Sequence, residues 1–200
     1  MDAVVQRDAV VQRLSRIQTG DILAHFGDLS SEDLRLRFGA PAGRIALEKY
    51  VHGIDFSNDR VFGIFDRDLK LVSLAHLAVD LDRDFAELGL SVAPATRRRG
   101  HGEALLRRAA THAASLGLHM IYMHCLSENS ALMGLARKAG FRIVASMGEA
   151  DASKLLEETR PESIAMELVN DRIALVDSIY MHQAKLLRSM AKFPEPAIVG

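Results

Sequence analysis

Between residues 103 and 116, apolar side chains recur at Leu105, Leu106, Ala109, Ala113 and Leu116, the spacing of one helical face. Gly117 closes that run as a helix stop. Short apolar stretches at 60–65 and 71–81, joined by the polar turn 66–70, predict two strands. Residues 87–92 continue them as a third strand ended by Pro94, and the apolar run 120–126 suits a buried strand. Further strands are expected at 141–146, near 153–157 after a turn at 148–151, and within 10–17. Residues 21–26, 31–38 and 44–51 predict short helices; Ser30 or Ser31 is placed to cap the second, with Glu32 and Asp33 in its first turn. The sum is an α/β (α+β) fold, a mixed and mostly antiparallel sheet flanked by helices.

The last quarter of the chain follows another period. Thr159 and Glu162 have capping-box spacing, and a long helix is predicted over 162–190. Met166, Ile173, Tyr180 and Leu187 recur every seven residues, as do Val169, Val176, Gln183 and Met190; with seven of these eight apolar, they resemble a coiled-coil seam. Such a helix either packs on its own domain or serves as a homodimerisation helix or lid. The expected organisation is one domain over 1–158 and a helical extension over 159–200, with Pro194 and Pro196 marking a loose end. The hexapeptide Asp-Ala-Val-Val-Gln-Arg occurs at 2–7 and again at 8–13, too few copies for a repeat architecture.

Composition narrows the function class. The 200 residues suit one well-filled domain, and 48% hydrophobic with 26% charged residues is ordinary for a globular chain. A net charge of −1 gives no global attraction to nucleic acid or membrane. The single cysteine, Cys125, lies in an apolar strand, so no intramolecular disulfide can form and a reducing, cytoplasmic compartment is expected. No apolar run approaches membrane-spanning length, and Asp2 and Asp8 interrupt any signal-peptide core. The eight histidines show no metal-ligand spacing, and no metal site is expected.

The chemistry concentrates after the strand 87–92. Val92 is followed by Ala-Pro-Ala-Thr and then by Arg97, Arg98, Arg99, Gly100, His101 and Gly102, directly before the helical run. Free amides and the dipole at a helix N-terminus favour an anion, glycines let phosphate oxygens approach, and arginines add forked donors. A P-loop would need Gly-Lys-Ser/Thr where Gly102-Glu103-Ala104 stands, and a dinucleotide fingerprint would need a small residue where Leu105 stands. An ordinary exposed arginine-rich turn is the plain alternative. Downstream, Ser127, Glu128 and Asn129 open a stretch of helical length that ends at Gly140-Phe141. Ser127 is the expected N-cap, and Asn129 either caps the helix itself or meets a ligand.

Together these two segments resemble the acyl-CoA loop and the second motif of the GNAT acetyltransferase superfamily. Residues 29–38, and Ala86-Glu87 separated by four residues from Val92, resemble the branch of bacterial protein-lysine acetyltransferases. The resemblance implies the GNAT acyl-CoA N-acyltransferase fold and acetyl-CoA as co-substrate. It implies an amine acceptor, either a protein lysine or a small molecule, attacked without an acyl-enzyme. Backbone groups around Leu90 and Val92 would meet the pantetheine arm, the segment Arg97, Arg98, Arg99, Gly100, His101 and Gly102 the pyrophosphate, and Asn129 the cofactor side of the cleft. Glu87 would be the general base. Many members carry a tyrosine general acid seven residues after the asparagine; here that position is Ala136. The competing readings are a non-catalytic acyl-CoA-binding regulator and, most weakly, a nucleic-acid binder using the three arginines, which have no aromatic stripe beside them.

Overall fold

The computed structural model describes residues 10–156. Its first strand, β1 (Gln12–Leu14), is much shorter than the expected 10–17 stretch because Ser15 turns the chain. The Ser15 amide donates to the Gln18 side chain at 2.8 Å, and the Ser15 hydroxyl accepts from the Ile17 amide, which caps a 3-10 turn. Three helices follow: α1 (Thr19–Gly27), α2 (Ser31–Phe38) and α3 (Arg44–His52). Ser30 caps α2 by accepting from the Asp33 amide at 3.1 Å, and Gly39 ends it at φ +75°.

An antiparallel meander of β2 (Arg60–Phe65), β3 (Leu71–Asp80) and β4 (Phe85–Val92) comes next. Helix α4 (His101–Ser115) crosses to β5 (Met120–Leu126), and α5 (Ser130–Lys138) leads to the hairpin β6 (Arg142–Ser146) and β7 (Glu149–Leu155). The sheet order is β1-β2-β3-β4-β5-β7-β6, with β4 and β5 the one parallel pair among the described strands. Strand β7 starts four residues earlier than expected. Met147 at φ +49° and Gly148 at φ +91° form a two-residue turn that sets Ser146 opposite Glu149.

Strand alternation divides the core in two. On one side Leu105, Leu106, Ala109 and Ala113 of α4 pack on Phe62, Leu77, Leu88, Ile121 and Met123. On the other, Ile22 and Phe26 of α1, Leu34 of α2 and Val51 of α3 cover Val61 and Leu74. Each such aliphatic side chain contributes about 1.5–3 kcal/mol by leaving water. The helices of the second side lie over β1 to β4, so they frame the face of β4 that carries Glu87, Gly89 and Ser91. No described helix is long and apolar enough to cross a membrane. The expected 162–190 helix, the 158/159 division and the first hexapeptide copy lie outside the described residues.

Candidate active site

Strands β4 and β5 pair only at Phe85↔Met120, Ala86↔Ile121 and Glu87↔Tyr122. Beyond that point β5 stays paired with β7 as far as Leu126, while β4 runs on to Val92 against β3 alone. A cleft therefore opens between them. The direction of the β4 amides follows from one bond. The Ala93 amide donates to the Val72 carbonyl at 2.8 Å, so odd-numbered residues of β4 turn their backbone groups toward β3. Leu90 and Val92 consequently turn theirs into the cleft, as does the carbonyl of Leu88, whose amide closes the last rung with Tyr122. Leu90 and Val92 were expected there; Leu88 joins them by the same parity.

The loop after β4 is anchored before it reaches the helix. Pro94–Thr96 form a 3-10 turn, and the Thr96 hydroxyl donates to the Ala93 carbonyl at 3.0 Å. Arg98 adopts φ +62° and Gly100 φ +82°, which swings the chain into α4. A Cβ on Gly100 would meet nothing within 4 Å, so its left-handed backbone, not crowding, is what calls for glycine. Gly102 differs: a Cβ there would sit 3.2 Å from Leu135 of α5, so its small size serves helix packing. The first helical bond runs from the Ala104 amide to the Gly100 carbonyl at 3.0 Å. The amides of His101, Gly102 and Glu103 thus precede the helical ladder at the positive end of the dipole.

The three arginines separate in role. Arg97 turns back, its Nε donating to the Val92 carbonyl at 3.1 Å and its Nη2 to Asp33 of α2 at 2.5 Å. Burial alone would raise the Asp33 carboxyl, but hydrogen bonds from Ser30 and Arg97 outweigh it and hold it below the usual range. Arg98 and Arg99 are exposed on the loop. His101 holds Ser73 of β3 through Nδ1 at 2.9 Å, and burial together with Arg99 lowers its pKa. The Asn129 side chain is the N-cap of α5: it accepts from the Leu132 amide at 3.1 Å and donates to the Leu36 carbonyl at 3.4 Å. The cap is therefore Asn129 and not Ser127, because the chain at 127–129 is still turning out of β5.

Glu87 is exposed at the closed end of the cleft, and its Oε2 accepts from the Tyr122 hydroxyl at 2.9 Å. Arg37 of α2 fills the space where a Cβ of Gly89 would stand, its Nη2 lying 1.8 Å from that position. Arg37 donates to the Tyr50 hydroxyl at 2.9 Å, Tyr50 meets His76 Nδ1 at 2.6 Å, and His76 Nε2 meets Asp59 at 3.0 Å. A carboxylate only accepts, so His76 donates from Nε2; in the neutral ring Nδ1 then accepts from Tyr50. Burial pushes the Tyr50 phenol up. Behind β4, His25 donates from Nδ1 to the Leu71 carbonyl at 3.2 Å and accepts from Ser91 at 2.8 Å; burial lowers its pKa to about 4.

Residues 30–141 match the acetyltransferase (GNAT) family. The chain belongs to that family. As a GNAT enzyme it is an acyl-CoA-dependent N-acetyltransferase, moving an acyl group from acyl-CoA to an amine. Solved structures share its fold. The GNAT domain of S. lividans PAT superposes with a TM-score of 0.66 at 21% identity, covering 74% of this chain and 90% of that one. Spermidine N-acetyltransferase from Vibrio cholerae, solved with CoA and spermine, gives 0.61 at 21% identity over 74% and 96%. A phosphinothricin acetyltransferase from Sinorhizobium meliloti, solved with AcCoA, gives 0.61 at 16% identity over 76% and 92%. No curated protein matches the sequence.

Among the described residues, no group of three or more His, Cys, Asp or Glu side chains could hold a metal ion. Tyr122, Arg37, Tyr50, His76 and Leu88 were not singled out from sequence. Their roles depend on the register of β4 against β5 and on which side chains α2 and α3 lay over the sheet. Only the period-two alternation of β5, which puts Tyr122 and His124 on one face, was available as a signal.

Proposed function

We propose that this enzyme transfers acetyl from acetyl-CoA to a primary amine, on a protein lysine or a small molecule, by direct attack. The observation that carries the reading is the cleft that opens at Glu87, lined by inward-facing β4 backbone and ending at the α4 amides. The His101 to Glu103 amides, with Arg98, Arg99 and Gly100, would hold the pyrophosphate. The Leu88 carbonyl and the backbone groups of Leu90 and Val92 would pair with the pantetheine arm, and an N–H near Val92 would polarise the thioester carbonyl, with Glu87 acting on the amine directly or through water. Arg97 contributes by fixing the loop to α2, and Asn129 by holding the mouth of α5. Positive Arg107, Lys138 and Lys154 beside a cavity of about 330 Å³ between α4 and α5 support the adenosine end lying there.

Glu87 would take a proton from the acceptor ammonium, whose reference pKa is near 10.4 for lysine. The freed amine attacks the thioester carbon, the C–S bond breaks, and CoA departs as thiolate, while the second N–H proton of the new amide nitrogen passes to water or to that thiolate. A thiol pKa near 8.5 makes that departure tolerable without a dedicated acid, consistent with alanine at position 136. Structural neighbours named for spermidine, phosphinothricin and ribosomal-protein alanine leave the acceptor class open. Buried, free Cys125 supports a cytoplasmic setting. The test is thiol release from acetyl-CoA across amines and lysine peptides. Turnover that Glu87→Gln slows, with acetyl-CoA affinity retained, is expected. Binding without turnover for every amine would favour the regulator reading instead.

A further inference from the structure

We propose that Tyr122 is a positioning residue that locks the Glu87 carboxylate at the mouth of the cleft, so that one carboxylate oxygen is committed to the enzyme and the other is left for the acceptor. This rests on Glu87 as the proton acceptor. Three observations carry it. Glu87↔Tyr122 is the last parallel pair before the strands part, so the two side chains emerge together on the same face where the cleft begins. The phenol donates to Oε2 at 2.9 Å. The phenol ring is itself fixed by edge-on packing against Phe85, with centroids 5.3 Å apart.

A glutamate on an exposed strand has three side-chain torsions to order, and a fixed donor removes most of that freedom before the acceptor arrives. The donor must stay protonated to do this. Burial and the Glu87 contact push the Tyr122 phenol up to about 12, so it remains an O–H donor throughout the range in which an amine transferase works. Ala136 removes the usual helix tyrosine, but Tyr122 does not substitute for it: it points to the base, not toward α5. The other charged and titratable groups facing this spot are Arg83 from the β3–β4 turn, His124 of β5, Asp151 of β7, and Tyr50 with Arg37 from the helical side. His124 binds Asp151 at 2.8 Å, and that bond, with the charges of Asp151, Glu149 and Glu87, raises its pKa.

The experiment compares the full-length wild type, Tyr122→Phe and Glu87→Gln. Phenylalanine keeps the ring on Phe85 and removes only the hydroxyl; equal thermal unfolding of the three proteins controls for folding. With the acceptor found by the amine screen, Tyr122→Phe is expected to lower kcat about 3- to 10-fold while leaving the acetyl-CoA dissociation constant unchanged. In ¹³C-tyrosine NMR carried to pH 11, the signal missing from Tyr122→Phe should resist ionisation in wild type and begin to ionise in Glu87→Gln, while Tyr50, held up mainly by burial, resists in both. A Glu87→Gln rate equal to wild type removes the general-base reading and this role with it. A slowed Glu87→Gln beside a Tyr122→Phe with wild-type rate overturns the Tyr122 role alone. A Tyr122 titration unaffected by Glu87→Gln overturns it too, whatever the kinetics.

Discussion

Gly100 separates what the loop costs the fold from what it does for the ligand. At φ +82° any L side chain carries a penalty of roughly 1–2 kcal/mol. Alanine also stiffens the unfolded chain and recovers about 0.4–1 kcal/mol. Since a Cβ would meet no atom within 4 Å, there is no clash to add. Gly100→Ala should therefore lose about 1 kcal/mol and a few degrees in Tm. Gly100→Glu carries the same backbone penalty plus a negative charge at the helix mouth. A unit charge about 4 Å from a phosphate charge costs between about 1 kcal/mol in water and about 4 kcal/mol near a protein surface. That converts to a roughly 5- to 1,000-fold weaker Kd for acetyl-CoA. Calorimetric titration of both variants, beside thermal unfolding, checks this. Equal Tm with an affinity ratio that shrinks in high salt is expected, because the added term is electrostatic. Two folded variants that bind acetyl-CoA within a factor of two of each other would refute the pyrophosphate assignment.

Three further outcomes are expected. His25, with its pKa lowered to about 4 in the fold and an ordinary 6.5 when unfolded, stays neutral where the unfolded chain takes up a proton, so stability is lost as pH falls from 6.5 to 4. The loss is on the order of 3 kcal/mol, and denaturant melts should show a flatter pH dependence for His25→Gln over that window. Asn129→Asp keeps the acceptor for the Leu132 amide but not the donor to Leu36, whereas Asn129→Ala loses the cap as well and should cost about 0.5–2 kcal/mol more. If Asn129 also touches the co-substrate, both variants weaken acetyl-CoA binding beyond their stability loss; unchanged Kd in both assigns it to the cap alone. Sedimentation of the full chain and of residues 1–158 tests the homodimer expected from the 162–190 seam, with a monomeric full chain ending that idea.

Much of this architecture was legible because local signals agreed. The α4 stripe, the Ser30 cap and the β2–β3 hairpin each combine periodicity with the right punctuation, and the structure places them within two residues of expectation. Strand β7 was harder: its buried positions are Ala150 and Ala152, alternating with Glu149 and Asp151, so it lacks the apolar weight that marks a strand. Asn129 carried two readings in the sequence, and only coordinates show its side chain engaged at both ends. Likewise three adjacent arginines look equivalent until Asp33, 64 residues away, singles out Arg97. Long-range register and helix placement decide these cases, and neither is encoded in a local window.

The parting of β4 and β5 has a physical consequence for how the co-substrate is held. Past Glu87 the Leu88 carbonyl and the cleft-side amides and carbonyls of Leu90 and Val92 have no strand beside them, and Leu88 is only 2% exposed. Buried backbone groups left without partners cost about 1–3 kcal/mol each. The Val92 carbonyl is met by Arg97, which leaves the others to water or ligand. An arm with two amides, such as pantetheine, can supply what the missing strand does not, in the manner of an added β-strand. The binding energy is then concentrated along an edge fixed on one side by eight pairs with β3. Closing the gap, by any change that lets β5 pair beyond Tyr122, should satisfy those groups internally and so raise stability while abolishing acyl-CoA binding.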